Sequence, residues 1–349
     1  MNVTVLGAGA WGTALARLLQ ESETTSNESA PHPDPLPAGE GKASGGHQVT
    51  LWAHEPARLD ELARSGVNER YLPGIPLPKN WRLESDVAKA ADQAECIVVA
   101  VPSKAFREVT HALANFRGLI VSVTKGIEYE TGLTMSGVLH ETAPGATVAA
   151  LSGPTLALEV AKGIPTAIVA ASEDASAAQT VQQLFHRPAF RVYTSSDLLG
   201  VELGGALKNV VAIAAGVGDG LGFGDNSKAA LITRGIVEIR RLGVACGAQA
   251  ETFSGLSGLG DLTVTCYSRL SRNRAFGERL GRGEDVERIV ATSITVAEGY
   301  PTARSAHKLA QRLKITTPII DEVYALLYEG KNVAKALRDL TTRESKAED

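Results

Sequence analysis

Glycines 7, 9 and 12 sit in "VTVLGAGAWGTALARLLQ" (3–20), between a short β-branched run and a segment with helical spacing. Strand, GxGxxG and helix in that order form a dinucleotide-binding signature. Gly7 permits the tight turn, Gly9 lets a pyrophosphate approach the backbone, and Gly12 lets the helix pack against the strand. The helix start adds free N–H groups and a partial positive charge. A second strand is expected over 48–52. It is followed by His54 and Glu55, where the adenosine ribose of such a cofactor is read.

Further candidates lie downstream. Lys125 follows the strand-like "LIVSVT" (119–124); it is either a solvated loop lysine or a contact for an anionic group. Lys208 is the only charge between Leu203 and Gly218, within an apolar helical run over 197–217. Such a lysine either snorkels to water or is desolvated, and desolvation lowers its pKa towards proton-transfer use. "SGLSGLGDLTVTC" (254–266) carries Asp261 and Thr265 behind several glycines; Asp261 is a placed carboxylate or a helix N-cap. "SRNRAFG" (271–277) reads as an N-cap at Ser271 and a helix from Arg272. Arg272, Asn273 and Arg274 at that start suit a phosphate, the bland alternative being a solvated basic turn.

The elements that must position these residues change character along the chain. Strand-like runs at 3–6, 48–52, 96–102, 119–124, 147–152, 166–171 and 190–193 alternate with helical segments such as 104–115 and 174–186. That alternation predicts a doubly wound parallel sheet. Pro102–Ser103, Lys125–Gly126 and Ser152–Thr155 would then open onto one crevice. From about residue 195 the pattern becomes helical, with 197–217, 226–243, 272–281, 302–313 and 318–328. The expected division is a cofactor-binding domain over 1–194, a helical substrate-binding and catalytic domain over 195–342, and a tail over 343–349.

One stretch interrupts this plan. Residues 26–48, "SNESAPHPDPLPAGEGKASGGHQ", are rich in Pro and Gly and offer little to bury. Removing roughly twenty residues restores the usual distance from the glycine turn to the acidic strand end. Residues 21–46 are therefore read as a disordered insertion within one βαβ unit. A helix-to-strand connection lies at the sheet edge away from the cofactor, so the insertion is expected to hang clear of the chemistry.

Composition narrows the function classes. Hydrophobic residues make up 44%, charged residues 21% and aromatics 5%, with a net charge of −4. This is globular composition without a basic surplus for nucleic acid. Cys96, Cys246 and Cys266 are isolated, which suggests a reducing compartment. No secretory leader is visible, and the longest uncharged run (142–158) is broken by Pro and Gly, so a cytoplasmic protein without stable membrane insertion is expected. No HExxH, Cys/His cluster, GxSxG elbow or P-loop is present, and no metal is expected.

In order along the chain, "GAGAWGTALA" (7–16), "LWAHE" (51–55), "YLPGIPLP" (71–78), "VAVPS" (99–103), "VTKGIE" (123–128), "SGPT" (152–155), "LGGALKNVVAIAAGVGDGLGFGDNSKAALITRG" (203–235), "GLGDLTVTC" (258–266), "SRNRAFG" (271–277) and "VAEGY" (296–300) resemble the bacterial NAD(P)-dependent glycerol-3-phosphate dehydrogenases. The insertion is the departure from that pattern. The resemblance implies a Rossmann-like α/β domain followed by an all-α domain like the C-terminal domain of 6-phosphogluconate dehydrogenase. It implies reversible reduction of dihydroxyacetone phosphate to sn-glycerol 3-phosphate, with NADPH or NADH, for glycerophospholipid biosynthesis. It assigns Lys208 as the proton donor. Lys125, Gly153, Thr155, Lys208, Asp261, Ser271, Arg272 and Asn273 would hold the substrate. Ala10, Trp11, His54, Lys125, Ala157, Arg272, Val296 and Glu298 would contact the cofactor alongside Gly7, Gly9 and Gly12. A homodimer is expected from the apolar helical domain. The alternatives are a related dehydrogenase, such as a ketopantoate reductase or 3-hydroxyacid dehydrogenase, and a nucleotide-binding protein without turnover.

Overall fold

The computed structural model describes residues 1–20, 47–293 and 297–342. The expected insertion, the tail over 343–349 and Val296 lie outside the described residues. The strands are β1 (Asn2–Leu6), β2 (Gln48–Trp52), β3 (Val67–Asn68), β4 (Leu72–Pro76), β5 (Arg82–Glu84), β6 (Cys96–Val99), β7 (Leu119–Ser122), β8 (Thr147–Ser152), β9 (Thr166–Ala171) and β10 (Phe190–Ser195). Between them run α1 (Ala10–Gln20), α2 (Pro56–Ser65), α3 (Val87–Ala91), α4 (Ser103–His111), α5 (Met135–Thr142), α6 (Ala157–Ala161) and α7 (Ala175–Phe185).

Eight strands form one sheet in the order β10-β9-β8-β7-β6-β1-β2-β5, and β3 and β4 form a separate hairpin. Runs such as "CIVV" and "LIVS" are buried along their whole length because helices cover both faces of the sheet, as a parallel sheet requires. The parallel expectation fails at one end: β8 and β9 are antiparallel, although β9 and β10 are parallel to each other. The cause is the β8–β9 connection. Its helix, α6, has only five residues, too little to carry the chain back along the sheet, so β9 starts where β8 ends.

The helical part comprises α8 (Leu198–Gly220), α9 (Asp225–Ala245), α10 (Asp261–Tyr267), α11 (Arg272–Gly281), α12 (Val286–Thr292), α13 (Gly299–Leu313), α14 (Pro318–Tyr328) and α15 (Val333–Thr341). Helices α9, α10, α11, α13 and α14 pack around α8, whose Leu207, Val210, Val211 and Ile213 are fully buried. Truncating one such leucine to alanine costs about 3 kcal/mol. The most apolar 18 residues of α8 have a mean hydropathy of 1.5, and 89% of them are buried. Asp197 caps its N-terminus, accepting from Gly200 N–H at 2.9 Å, and also accepts from Gln249 N–H at 3.0 Å and Thr252 Oγ1 at 2.5 Å.

Two glycines let α8 approach its neighbours. A Cβ on Gly205 would lie 2.5 Å from Ser152 Oγ at the end of β8, and one on Gly204 would lie 2.7 Å from the Ser257 carbonyl. One helix therefore touches both the sheet edge and the turn that leads into α10. One turn further on it carries Lys208.

Candidate active site

The side chain at the centre of a polar cluster is Asp261, 1% exposed at the start of α10. Its Oδ1 accepts from Lys208 Nζ at 2.5 Å and its Oδ2 from Lys125 Nζ at 2.6 Å. Lys208 also donates to Thr265 Oγ1 at 2.5 Å, and that hydroxyl donates to the Asp261 carbonyl one helical turn back, at 2.6 Å. Lys125, just past β7, also donates to the Gly153 carbonyl at 3.0 Å. Thr155 Oγ1 donates to the same carbonyl at 3.0 Å. Five residues singled out from sequence thus meet at one point: Lys208, Lys125, Asp261, Gly153 and Thr155. Thr265, paired with Asp261 by its one-turn spacing, completes the set.

Burial decides the chemistry of Lys208. It lies 6% exposed, and its pKa is pushed down to about 8. Desolvation is the main cause, opposed by Asp261 and assisted by the charge of Lys125. Lys208 is therefore desolvated, not snorkelling, and can exchange a proton near neutral pH.

A second cluster begins at α11. Ser271 caps it, accepting from Arg274 N–H at 3.2 Å. Arg272 is solvent-accessible; the protein crowding it lowers its pKa, and Glu298 opposes that shift. Glu298, just before α13, accepts from Ser103 N–H at 3.1 Å and from Ser103 Oγ at 2.5 Å. This joins the start of α4 to the helical part. Burial raises the Glu298 pKa, against the pull of Ser103 and Arg272.

Two expectations change here. Arg274 does not join Arg272, because it pairs with Asp219 at 2.6 Å and Glu278 at 3.3 Å. Alternate residues at a helix start point to different sides. The Asn273 carboxamide is already engaged: Nδ2 donates to Asn209 Oδ1 at 2.8 Å and Oδ1 accepts from Gly299 N–H at 2.8 Å. Asn209 was missed from sequence. Its signal is a second polar residue, beside Lys208, in the apolar run between Leu203 and Gly218.

The glycine turn lies at the end of β1. Gly7 has φ +125°, and a Cβ there would sit 2.7 Å from the Ala100 carbonyl; a Cβ on Gly12 would collide with the Gly7 carbonyl. A Cβ on Gly9 would meet nothing within 4 Å. The turn is closed behind and open in front, which fits a pyrophosphate. Ala10 begins α1. Trp11 packs in one cluster with Ala157, at the start of α6, and its buried Nε1 has no partner among the described residues. His54 and Glu55 are exposed past β2, where the ribose is expected. Lys125, Lys208 and Arg272 outnumber Asp261 and Glu298 by one positive charge, which favours an anionic ligand. Among the described residues no group of three or more His, Cys, Asp or Glu could hold a metal ion.

Known proteins match this arrangement from end to end. The profile for the NAD-dependent glycerol-3-phosphate dehydrogenase N-terminus matches residues 2–178, and that for its C-terminus matches 197–338. A glycerol-3-phosphate dehydrogenase [NAD(P)+] of Chlorobium phaeobacteroides is 46% identical, with 100% of this chain and 99% of the relative covered. The enzyme of that name from Anaeromyxobacter dehalogenans is 47% identical, with both chains fully covered. The crystal structure of glycerol-3-phosphate dehydrogenase from Coxiella burnetii superposes with a TM-score of 0.88 at 36% identity, covering 98% of this chain and 99% of that one. With its glycine turn, its lysine–aspartate–lysine cluster and both profiles in register, the chain belongs to the NAD-dependent glycerol-3-phosphate dehydrogenase family.

Proposed function

We propose that this protein catalyses the reversible NAD(P)H-dependent reduction of dihydroxyacetone phosphate to sn-glycerol 3-phosphate, supplying glycerophospholipid biosynthesis. The observation that carries the reading is Lys208, desolvated and hydrogen-bonded to a carboxylate shared with Lys125, on the same helix against which the basic start of α11 packs. The nicotinamide cofactor supplies the hydride when bound.

The chain's own groups do the rest. Lys208 Nζ gives its proton to the substrate oxygen as negative charge develops there, and the Lys208 and Lys125 ammonium groups stabilise that charge in a dry site. Asp261 holds both lysines in place. Arg272, the Ser271 hydroxyl and the free N–H groups of α11, Asn273 included, bind the phosphate dianion. Gly153 and Thr155 line the substrate side. Gly7, Gly9, Ala10, Trp11 and Gly12 hold the pyrophosphate side of the cofactor. His54 stands by its ribose, and Lys125, Ala157, Arg272, Val296 and Glu298 lie towards its nicotinamide.

Residues 1–194 form the cofactor domain on this reading, and 195–342 the substrate and catalytic domain. His54 beside Glu55 supports use of both NADPH and NADH, because a cation favours the 2′-phosphate and an acid the free ribose. A cytoplasmic homodimer is the assembly we propose. A groove of about 1000 Å³ between α8, α9, α14 and α15, where Leu221 and Phe223 are exposed beside charged residues such as Lys228 and Arg234, offers a surface for it.

The test is oxidation of NADPH and of NADH by the purified protein with dihydroxyacetone phosphate, with ketopantoate and other keto acids in parallel. Turnover on the phosphate substrate supports the proposal. Turnover confined to a keto acid, or none in folded protein that binds nucleotide, overturns it.

A further inference from the structure

We propose that Asn68 is a positioning residue that sets the phosphate-binding turn for the cofactor pyrophosphate; the inference rests on the cofactor reading above. Asn68 ends β3, in the hairpin outside the main sheet, and is 1% exposed. Its Nδ2 donates to the Ala8 carbonyl at 3.0 Å and to Thr13 Oγ1 at 2.8 Å. A carboxamide has two N–H hydrogens. Here one is spent on the turn and the other on α1, 55 to 60 residues away in sequence.

The peptide plane gives this contact its consequence. In a trans peptide the C=O and the following N–H point in opposite directions. Drawing the Ala8 carbonyl towards Asn68 therefore turns the Gly9 N–H to the opposite side. The next plane is fixed as well, because Thr13 N–H donates to the Gly9 carbonyl at 3.0 Å, which directs the Ala10 N–H away from the helix. Both amides belong to the group that a helix start leaves unpaired, and the space at Gly9 is open. A flipped Ala8–Gly9 peptide would instead aim a carbonyl oxygen at the phosphates and strand a buried N–H of Asn68. Asn68 is itself sealed from solvent, so it acts through Ala8 and Thr13.

The hairpin is held in register for this task. Leu72 and Ile75 of β4 pack with Trp11 and Ala14 of α1, and Tyr71 N–H donates to the Asn68 carbonyl at 3.2 Å.

The experiment is calorimetric binding of NADPH, NADH and ADP-ribose to wild type, Asn68→Ala, Asn68→Asp and Thr13→Val, with steady-state kinetics alongside. Asp keeps the shape of Asn but sets an oxygen against the Ala8 carbonyl, so it should not rescue. The Asn68 variants should raise each Kd, and the KM for NADPH, about tenfold, and Thr13→Val by less. Meanwhile kcat and the KM for dihydroxyacetone phosphate should stay within about twofold, a split that general loosening of the fold does not give. If the Asn68 variants do not fold, Thr13→Val carries the same test through the remaining anchor. Folded variants whose Kd values stay within about twofold of wild type overturn the inference, as does a parallel change in every kinetic constant. Wild-type protein that binds none of the three ligands overturns the cofactor reading, and this inference with it.

Discussion

Asp261→Asn removes the one negative charge shared by the buried Lys208 and the half-buried Lys125, at almost constant volume. At contact the charge centres of an ammonium and a carboxylate are about 3.5 Å apart, which at an effective dielectric of about 20 is an attraction of about 5 kcal/mol. With part of that recovered by relaxation, the Lys208 pKa should fall by about 3 units. Starting from about 8, it reaches about 5. Carbonyl reduction needs the ammonium form, so the wild-type rate should hold at lower pH and fall as pH rises through about 8. In Asp261→Asn that fall moves to about pH 5, leaving about 1% of Lys208 protonated near pH 7. The assay is kcat/KM for dihydroxyacetone phosphate as a function of pH, followed by NADPH consumption, with circular dichroism and thermal melting to establish folding. A loss of about a hundredfold near neutrality that is recovered on acidification is the expected result. A folded variant whose activity still falls near pH 8, or is reduced equally at every pH, would refute the role given to the shared carboxylate.

Lys208→Gln should cost about a thousandfold in kcat, within the usual span for a positioned proton donor, while calorimetry finds NADPH affinity nearly unchanged. Arg272→Met should raise the KM for dihydroxyacetone phosphate by about a hundredfold and abolish competitive inhibition by inorganic phosphate; Arg272→Lys should recover only part, having lost the bidentate fork. Glu238 caps α14 through the Ile319 and Ile320 amides, and burial raises its pKa from 4.5 to about 7. A carboxyl group whose folded pKa is raised loses its stabilising contribution as pH climbs from the unfolded to the folded value. Chemical denaturation should therefore show wild type losing about 3 kcal/mol relative to Glu238→Gln between pH 4.5 and about 7.

Local signals were the legible ones. The glycine turn, the buried strands and the cap at Ser271 are written in neighbouring residues, and each holds in the structure. Lys208 was noticeable because a lone charge in an apolar helix needs a reason, but its partners lie 53 and 57 residues away, and spacing alone does not place them. The reversal of β9 was missed because a buried strand has the same composition in either direction, and only the short α6 connection hints at it. Arg274 was misplaced because "SRNR" shows charge but not the side of α11 on which each charge emerges. Asn68 and Asn209 gave little warning. Both act by what they hold, and partners such as the Thr13 hydroxyl and the Asn273 amide lie 55 and 64 residues away.

α8 has a consequence for the chain before it folds. Its length and hydropathy suffice to span a bilayer, and Lys208 is the eleventh of its 23 residues. A lysine at the centre of such a segment raises the cost of insertion by about 3 kcal/mol, whereas an apolar residue there lowers it. The same ammonium that hydrogen-bonds Asp261 thus opposes insertion of the nascent helix into lipid. Replacing it with leucine or methionine would leave Glu202 and Asp219 as the remaining charges of the helix, and would shift the chain towards the membrane fraction. Loss of activity in such a variant would then report sorting as well as chemistry, which makes glutamine the cleaner replacement.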